Sequence, residues 1–158
     1  MARVSHHDLT FVIDGASPRP AAMNRALDIA QRFLSAFDGD DPDEIAMLLA
    51  PGVTHEHNTL LGADCANRDE YIERLPTFLN RFRTRHYEIL DLLSEPREGA
   101  TEVVARYRFT ATYGGIPIDL PGVMWLTVAN ERIVRRVDTF DSLLFLRQTG
   151  QVMPDDES

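Results

Sequence analysis

Cysteine is nearly absent: Cys65 stands alone, so no internal disulfide can form, and no Cys-x-x-Cys pair or Cys/His cluster marks a structural metal. No apolar run approaches the ~18 residues that a membrane span requires, and the opening stretch MARVSHHDLTFVIDG has no apolar core of a secretory signal. Basic clusters are missing too. With 25 acidic against 16 basic side chains the formal net charge is -9, a field that repels phosphate backbones and argues against a nucleic-acid partner. There is no internal repeat. A length of 158 residues falls within the ~100–200 typical of one domain, and 44% hydrophobic with 26% charged residues excludes a disordered chain. The expectation is a soluble, cytoplasmic, single-domain protein without nucleic-acid or membrane partners.

What the chain does contain is helical punctuation first and β texture afterwards. Residues 1–20 read as an N-terminal extension, with a short strand at Leu9 to Ile13 and a Gly/Pro linker from Gly15 to Pro20. Leu27, Ala30, Leu34 and Phe37 then repeat at helical spacing, and the acidic run from Asp38 to Asp41 ends that helix. Asp41-Pro42-Asp43-Glu44 has the cap, the first-position proline and the acidic first turn of a second helix, which Pro51-Gly52 is expected to stop after Leu49. Val53 to Glu56 reads as a brief strand. A third helix starts at Asn67 and carries Ile72, Leu75, Leu79 and Phe82 on one stripe, with Pro76 inside it as an expected kink.

From His86 onward the residues are branched and aromatic. Tyr87 to Leu93, Thr101 to Tyr113, Ile116 to Val128 and Arg132 to Phe140 read as strands, joined by connections short enough to require antiparallel hairpins. Val103, Ala105, Tyr107, Phe109, Ala111 and Tyr113 share one face of the second, and Arg106 and Arg108 fall on the other. Asp141 is placed to cap a final helix from Ser142 to Gln148, and residues 151–158 form an acidic tail. The fold class is α+β: a cone-shaped, curved antiparallel sheet with three N-terminal helices enclosing an apolar pocket, spanning residues 21–150.

The order of elements, the His57-Asn58 strand and the closing segment IVRRVDTFDSLLFLRQTG resemble the nuclear transport factor 2-like superfamily, and within it SnoaL-like domains, over Ala21 to Gly150. The resemblance implies a cone fold, a homodimer packed through the outer sheet face, and cofactor-independent acid–base chemistry on a hydrophobic small-molecule substrate; relatives also include non-catalytic binding modules. Three relatives differ in what they imply. SnoaL-type polyketide cyclases use one strand acid, which Asp138 supplies. Limonene epoxide hydrolase resembles the chain at Asn58, a water-holding position, and at Asp138 in RVDTFD, a general base; its Arg-x-Asp corresponds to Arg106-Tyr107-Arg108, which keeps the arginine and lacks the acid. Ketosteroid isomerase places an Asp base near His57 and a Tyr in the first helix, where this chain has none.

The candidate site follows from these residues. Asp138 is the expected base and His57 its catalytic companion, with Asn58, Arg106, Trp125, Arg136, Phe140 and Leu79 on the substrate side. A pocket-facing Asp138 brings Arg136 and Phe140 inward with it; burial raises its basicity while Arg136 lowers it. The alternative is an Arg136–Asp138 ion pair on the outer face or at a dimer seam. His57 shares a strand face with His55 and either bonds substrate, orients Asp138, or stands exposed at a turn. Asn58 either holds a water or caps the turn into Leu60-Leu61-Gly62. Third ligands for a His55/His57 metal site are not evident, so no metal and no cofactor are expected. His86 has no evident partner, and Cys65 lacks activating neighbours.

Overall fold

A computed structural model describes residues 20–152. The extension, its short strand at Leu9 to Ile13, most of the Gly15 to Pro20 linker and the tail from residue 153 lie outside the described residues. The chain runs α1 (Ala21–Ala36), α2 (Pro42–Ala46), β1 (Leu49–His57), α3 (Arg68–Arg81), β2 (Phe82–Arg97), β3 (Ala100–Tyr113), β4 (Ile116–Ala129), β5 (Arg132–Phe140) and α4 (Ser142–Gln148).

Local chemistry sets these boundaries. The Asp41, Asn67 and Asp141 side chains accept from the backbone N–H groups of Asp43, Glu70 and Leu144, so all three expected caps form. α3 continues through Pro76, where the apolar periodicity outweighs one missing N–H. Pro51-Gly52 does not stop a helix: α2 ends at Ala46, and both residues lie within β1. β1 is an edge strand, and its register shifts between Leu49 and Thr54, so a residue without an N–H is accommodated there.

The five strands form one curved, unclosed sheet in the order β1-β5-β4-β3-β2. β2 to β5 are an antiparallel meander, as the short connections require. β1 departs from the antiparallel expectation and joins β5 in parallel. Its crossover is everything from α3 to β4, long enough for a parallel pair. Trp125, expected on the substrate side, faces outward instead, as does Val123, because Ile118, Leu120, Met124, Leu126 and Val128 hold the buried parity of β4. Leu79 packs in the core under α3 and does not reach the cavity. No described helix is long and apolar enough to cross a membrane.

Two close approaches fix the frame, one within the sheet and one between the helices and the sheet. At Gly122 a Cβ would stand 2.3 Å from the Tyr107 hydroxyl, so only glycine leaves room on β4 for the ring of its cross-strand partner. Arg85 is buried and donates to the carbonyls of Phe37 (2.9 Å), Leu79 (2.6 Å), Phe82 and Gly39 (2.7 Å), as well as to Asp40. One guanidinium thus ties the ends of α1 and α3 to the start of β2. His86 has a partner as well, Asp38 at 3.0 Å. Arg85→Met leaves several carbonyls without a donor, each worth ~1–3 kcal/mol when buried. The variant is expected to lose about 3 kcal/mol or more of unfolding free energy in urea, and Arg85→Lys to recover little of it, because an ammonium lacks the planar fork.

Candidate active site

Between α1, α3, α4 and the concave sheet face lies a cavity of about 890 Å³. Its body is aromatic: Phe37, Phe78, Phe82, Phe109, Tyr113 and Phe145 line it, many in edge or tilted contact. Its polar end is built by β1 and β5. Arg136 and Asp138, two residues apart on β5, both point inward and are almost fully buried, at 5% and 4% exposure. The outer-face alternative for this pair is therefore excluded.

Asp138 Oδ2 accepts from Arg136 Nη2 and from His55 Nε2, both at 2.7 Å. Arg136 Nη1 donates to the Tyr71 hydroxyl, and the guanidinium carbon sits 5.3 and 5.4 Å from the ring centres of Phe33 and Phe37. Asp138 Oδ1 and Arg136 Nε are buried and have no hydrogen-bond partner among the described residues. Burial works to raise the Asp138 pKa, but Arg136 and the His55 hydrogen bond prevail and hold the carboxyl below its usual range. Burial and the nearby Arg136 charge push His55 down to about 4, against the pull of Asp138, so at neutral pH it is an uncharged imidazole donating from Nε2. Burial pushes Tyr71 up to about 12 and raises Tyr87 and Tyr107 further; all three phenols line the cavity and keep their protons.

His57 and Phe140 also line the cavity. Asn58 does not: it is exposed, and its backbone N–H donates to the Asp138 carbonyl at 2.8 Å, extending the parallel β1–β5 ladder by one rung. Arg106 lies on the outer sheet face paired with Asp91 at 2.6 Å, the parity opposite to Ala105 and Tyr107. Trp125 donates to Glu102 at 2.6 Å on that same outer face. The side chains that sequence reading did not assign to the site are His55, Tyr71, Tyr87 and Tyr107. The signal for His55 was its shared parity with His57; the tyrosines reach the site from three different elements, a long-range fact with no local signature. Cys65 does have a cationic neighbour, Arg74 at 3.0 Å, yet burial raises its thiol pKa and keeps it protonated.

Donor atoms of His55, His57 and Asp138 lie within 4.8 Å of one another, the spacing of a possible cation site. The Arg136 charge already compensates the carboxylate, and Oδ2 is taken by two donors, so the set is arranged as a hydrogen-bonded acid–base group.

Known proteins share this architecture. The SnoaL-like domain family matches over residues 30–136, and the chain belongs to that family, within the nuclear transport factor 2-like superfamily. A comparison with curated proteins finds no match. A Catenulispora acidiphila DSM 44928 protein with a ketosteroid isomerase-like fold, solved with trimethylamine, is 18% identical; the match covers 80% of this chain and 98% of that one, with a TM-score of 0.68. A candidate polyketide cyclase from Xanthomonas campestris pv. campestris is 21% identical, with 81% and 98% covered and a TM-score of 0.68. An LEH-like epoxide hydrolase from M. tuberculosis is 15% identical, with 82% and 92% covered and a TM-score of 0.67. At these identities the likeness is one of fold.

The buried imidazole has a measurable consequence. His55 takes up a proton near 6.5 when unfolded and near 4 when folded, so between those values the unfolded chain binds more protons and stability rises with pH. A gap of that size is worth about 3 kcal/mol, lost as pH falls from 6.5 to 4. Asp138 adds its own loss further down, as pH falls through the ordinary carboxylate value. In His55→Gln, which keeps a donor toward Asp138 but does not titrate, guanidinium unfolding curves are expected to lose this slope.

Proposed function

We propose that this member of the SnoaL-like family is a cofactor-independent acid–base enzyme acting on a hydrophobic, oxygenated small molecule, with Asp138 as the base. The observation that carries the reading is Asp138 Oδ1: a buried, ionised carboxylate oxygen without a partner among the described residues, on a side chain that lines an aromatic cavity. A buried acceptor left open in this way waits for a donor from outside the chain. Oδ2, fixed by Arg136 and His55, orients the carboxylate and leaves Oδ1 as its one oxygen with no hydrogen-bond partner among the described residues.

Because Arg136 holds the pKa down, Asp138 suits protons that a neighbouring carbonyl makes acidic. The electron pair then moves onto the carbonyl oxygen, and phenols that keep their protons line the cavity where that oxyanion would form. A Schiff base on a lysine side chain is excluded, since the 16 basic residues are all arginine. An epoxide hydrolase is the second reading, supported by an ionised Asp138 able to activate water. It lacks two expected groups, since Asn58 is exposed and Arg106-Tyr107-Arg108 presents both arginines outward. A binding module that holds its ligand without turnover is the third. Reaction in ¹⁸O-labelled water separates the enzymes, because only hydrolysis carries the label into product, and a ligand recovered unchanged favours the module.

Asp138→Asn keeps the shape and removes the proton acceptor. Turnover is expected to fall by about 10²-fold or more. Unfolding measured on the same variant separates the readings: a loss of ~3–5 kcal/mol with proportionate loss of activity would mark Asp138 as a structural counter-ion for Arg136.

A homodimer through the outer sheet face belongs to the same proposal. Leu93, Val104, Trp125 and Val137 stand opposite one another across four strands, an apolar row between the charged rows holding Asp91-Arg106 and Glu102-Arg135. Leu93 and Trp125 are 68% and 43% exposed in the single chain. Trp125→Glu is expected to convert a dimer into a monomer by light scattering, with the fold retained.

A further inference from the structure

His57 is held by a device separate from the Arg136–Asp138 pair. Asp64 Oδ1 accepts from the His57 backbone N–H at 2.9 Å and meets its ring Nδ1 at 3.3 Å. These bonds keep the Asp64 carboxyl below its usual range, so at neutral pH it is ionised and can only accept. The proton of a neutral His57 therefore belongs on Nδ1. Its Nε2 has no hydrogen-bond partner among the described residues, and the ring lines the cavity.

The loop carrying Asp64 is shaped to this ring. Gly62 has φ +116, and a Cβ there would stand 2.3 Å from His57 Cδ2, so no side chain fits between loop and imidazole. Arg74 reaches from α3 to the carbonyls of Ala63, at 2.9 Å, and Asp64, pinning the loop. His55, whose ring centre is 4.1 Å from that of His57, carries its proton on the opposite nitrogen, Nε2, toward Asp138. The two imidazoles are thus neighbours of opposite tautomer, each set by its own carboxylate.

We infer that Asp64 is a positioning residue: it fixes His57 as the Nδ1–H tautomer, so that Nε2 serves as a second proton acceptor beside Asp138 Oδ1. The use of that acceptor in turnover rests on the acid–base reading above; the tautomer does not. In the step, a substrate C–H or O–H bond breaks and its electron pair stays on the substrate as an enolate or alkoxide. The proton forms the Nε2–H bond, and Asp64 stabilises the imidazolium until the proton is returned to product or water. No oxidant or further reactant is needed. Two acceptors at one pole suit a reaction in which a proton leaves one atom and another returns elsewhere. A bare Nε2 donates nothing until it is protonated, so His57 in this tautomer acts on the substrate first as an acceptor.

The charged and titratable groups facing His57 are His55 on β1, Arg136 and Asp138 on β5, and Asp64 on the loop. The test is long-range ¹H–¹⁵N NMR of the histidine side chains in the full chain, on the wild type, Asp64→Ala and Asp64→Asn, with a dispersed amide spectrum as the check of folding. The wild type is expected to show His57 as Nδ1–H and His55 as Nε2–H. Asp64→Ala should move His57 toward Nε2–H and leave His55 unchanged, and Asp64→Asn, which can still accept, should retain part of the Nδ1–H form. A wild-type His57 protonated on Nε2, or an Asp64→Ala variant with the Nδ1–H population intact, overturns the assignment. With a turned-over substrate, Asp64→Ala should lower kcat about tenfold or more at constant KM, with Asp64→Asn between. Unaltered kcat in Asp64→Ala overturns the catalytic part. A wild type without turnover on any substrate counts against the acid–base reading alone, and the NMR result then decides the role of Asp64.

Discussion

Burying a guanidinium and a carboxylate together beneath α1 is the constraint on which the polar end of the cavity depends. Either charge alone would be several kcal/mol out of place in this interior. Arg136 and Asp138 meet the condition because they sit two apart on β5 and so share a face. The remaining edges of the guanidinium are covered by the Tyr71 hydroxyl and by the Phe33 and Phe37 rings. Placing aromatic rings there explains why α1, with no polar contact of its own to Asp138, still fixes the carboxylate. The ring faces hold Arg136, and Arg136 holds Oδ2.

That compensation fixes the states of the neighbours. With one positive and one negative charge already balanced, a protonated His55 would add an unbalanced charge in the same dry space, so His55 stays neutral and donates instead. The three tyrosines meet the same penalty with the opposite sign: a phenolate would be buried beside Asp138, and their protons stay on. The polar end is therefore neutral overall, though it contains a full carboxylate. Its open atoms differ in kind, with Asp138 Oδ1 able only to accept and the phenol hydroxyls able to donate. A site of that composition separates proton removal from oxyanion support by using different residue types.

Much of this was legible in the sequence wherever the signal is local. Side-chain spacing named the caps at Asp41, Asn67 and Asp141, and alternation named the buried face of β3, because both depend on residues within a turn or two of each other. The alternation that sets Arg106 opposite Tyr107, and the parity of the apolar residues from Ile118 to Val128 that sets Trp125 outside, run against the substrate-side places expected for both; the size and hydrophobicity of a tryptophan do not override the parity of its strand. What was not legible depends on pairing across the chain. Pro51-Gly52 punctuates a helix in isolation, but an edge strand has no use for one N–H. The parallel register sets His57 beside Asp138 and His55 beside Arg136, yet the imidazole that reaches the carboxylate is His55, across the diagonal. A side chain's reach decides that contact, and no spacing rule in one strand contains it.

Among the described residues two arginines are buried to nearly the same depth, and their partners show how fold and site are kept apart. Arg85 is met by four main-chain carbonyls and one carboxylate at the junction of α1, α3 and β2. Main-chain acceptors move only when the elements move, so that charge answers to the fold and to nothing that enters the cavity. Among the described residues Arg136 is met by side chains alone, and its Nε has no partner there. Side-chain acceptors can turn, and a proton arriving on Asp138 weakens the pair at once. The resulting change in charge is felt by His55, His57 and the tyrosines, whose pKa values all carry a contribution from Arg136 or Asp138. One arginine holds the frame still, and the other couples every titratable group at the cavity's polar end to the protonation of a single carboxylate.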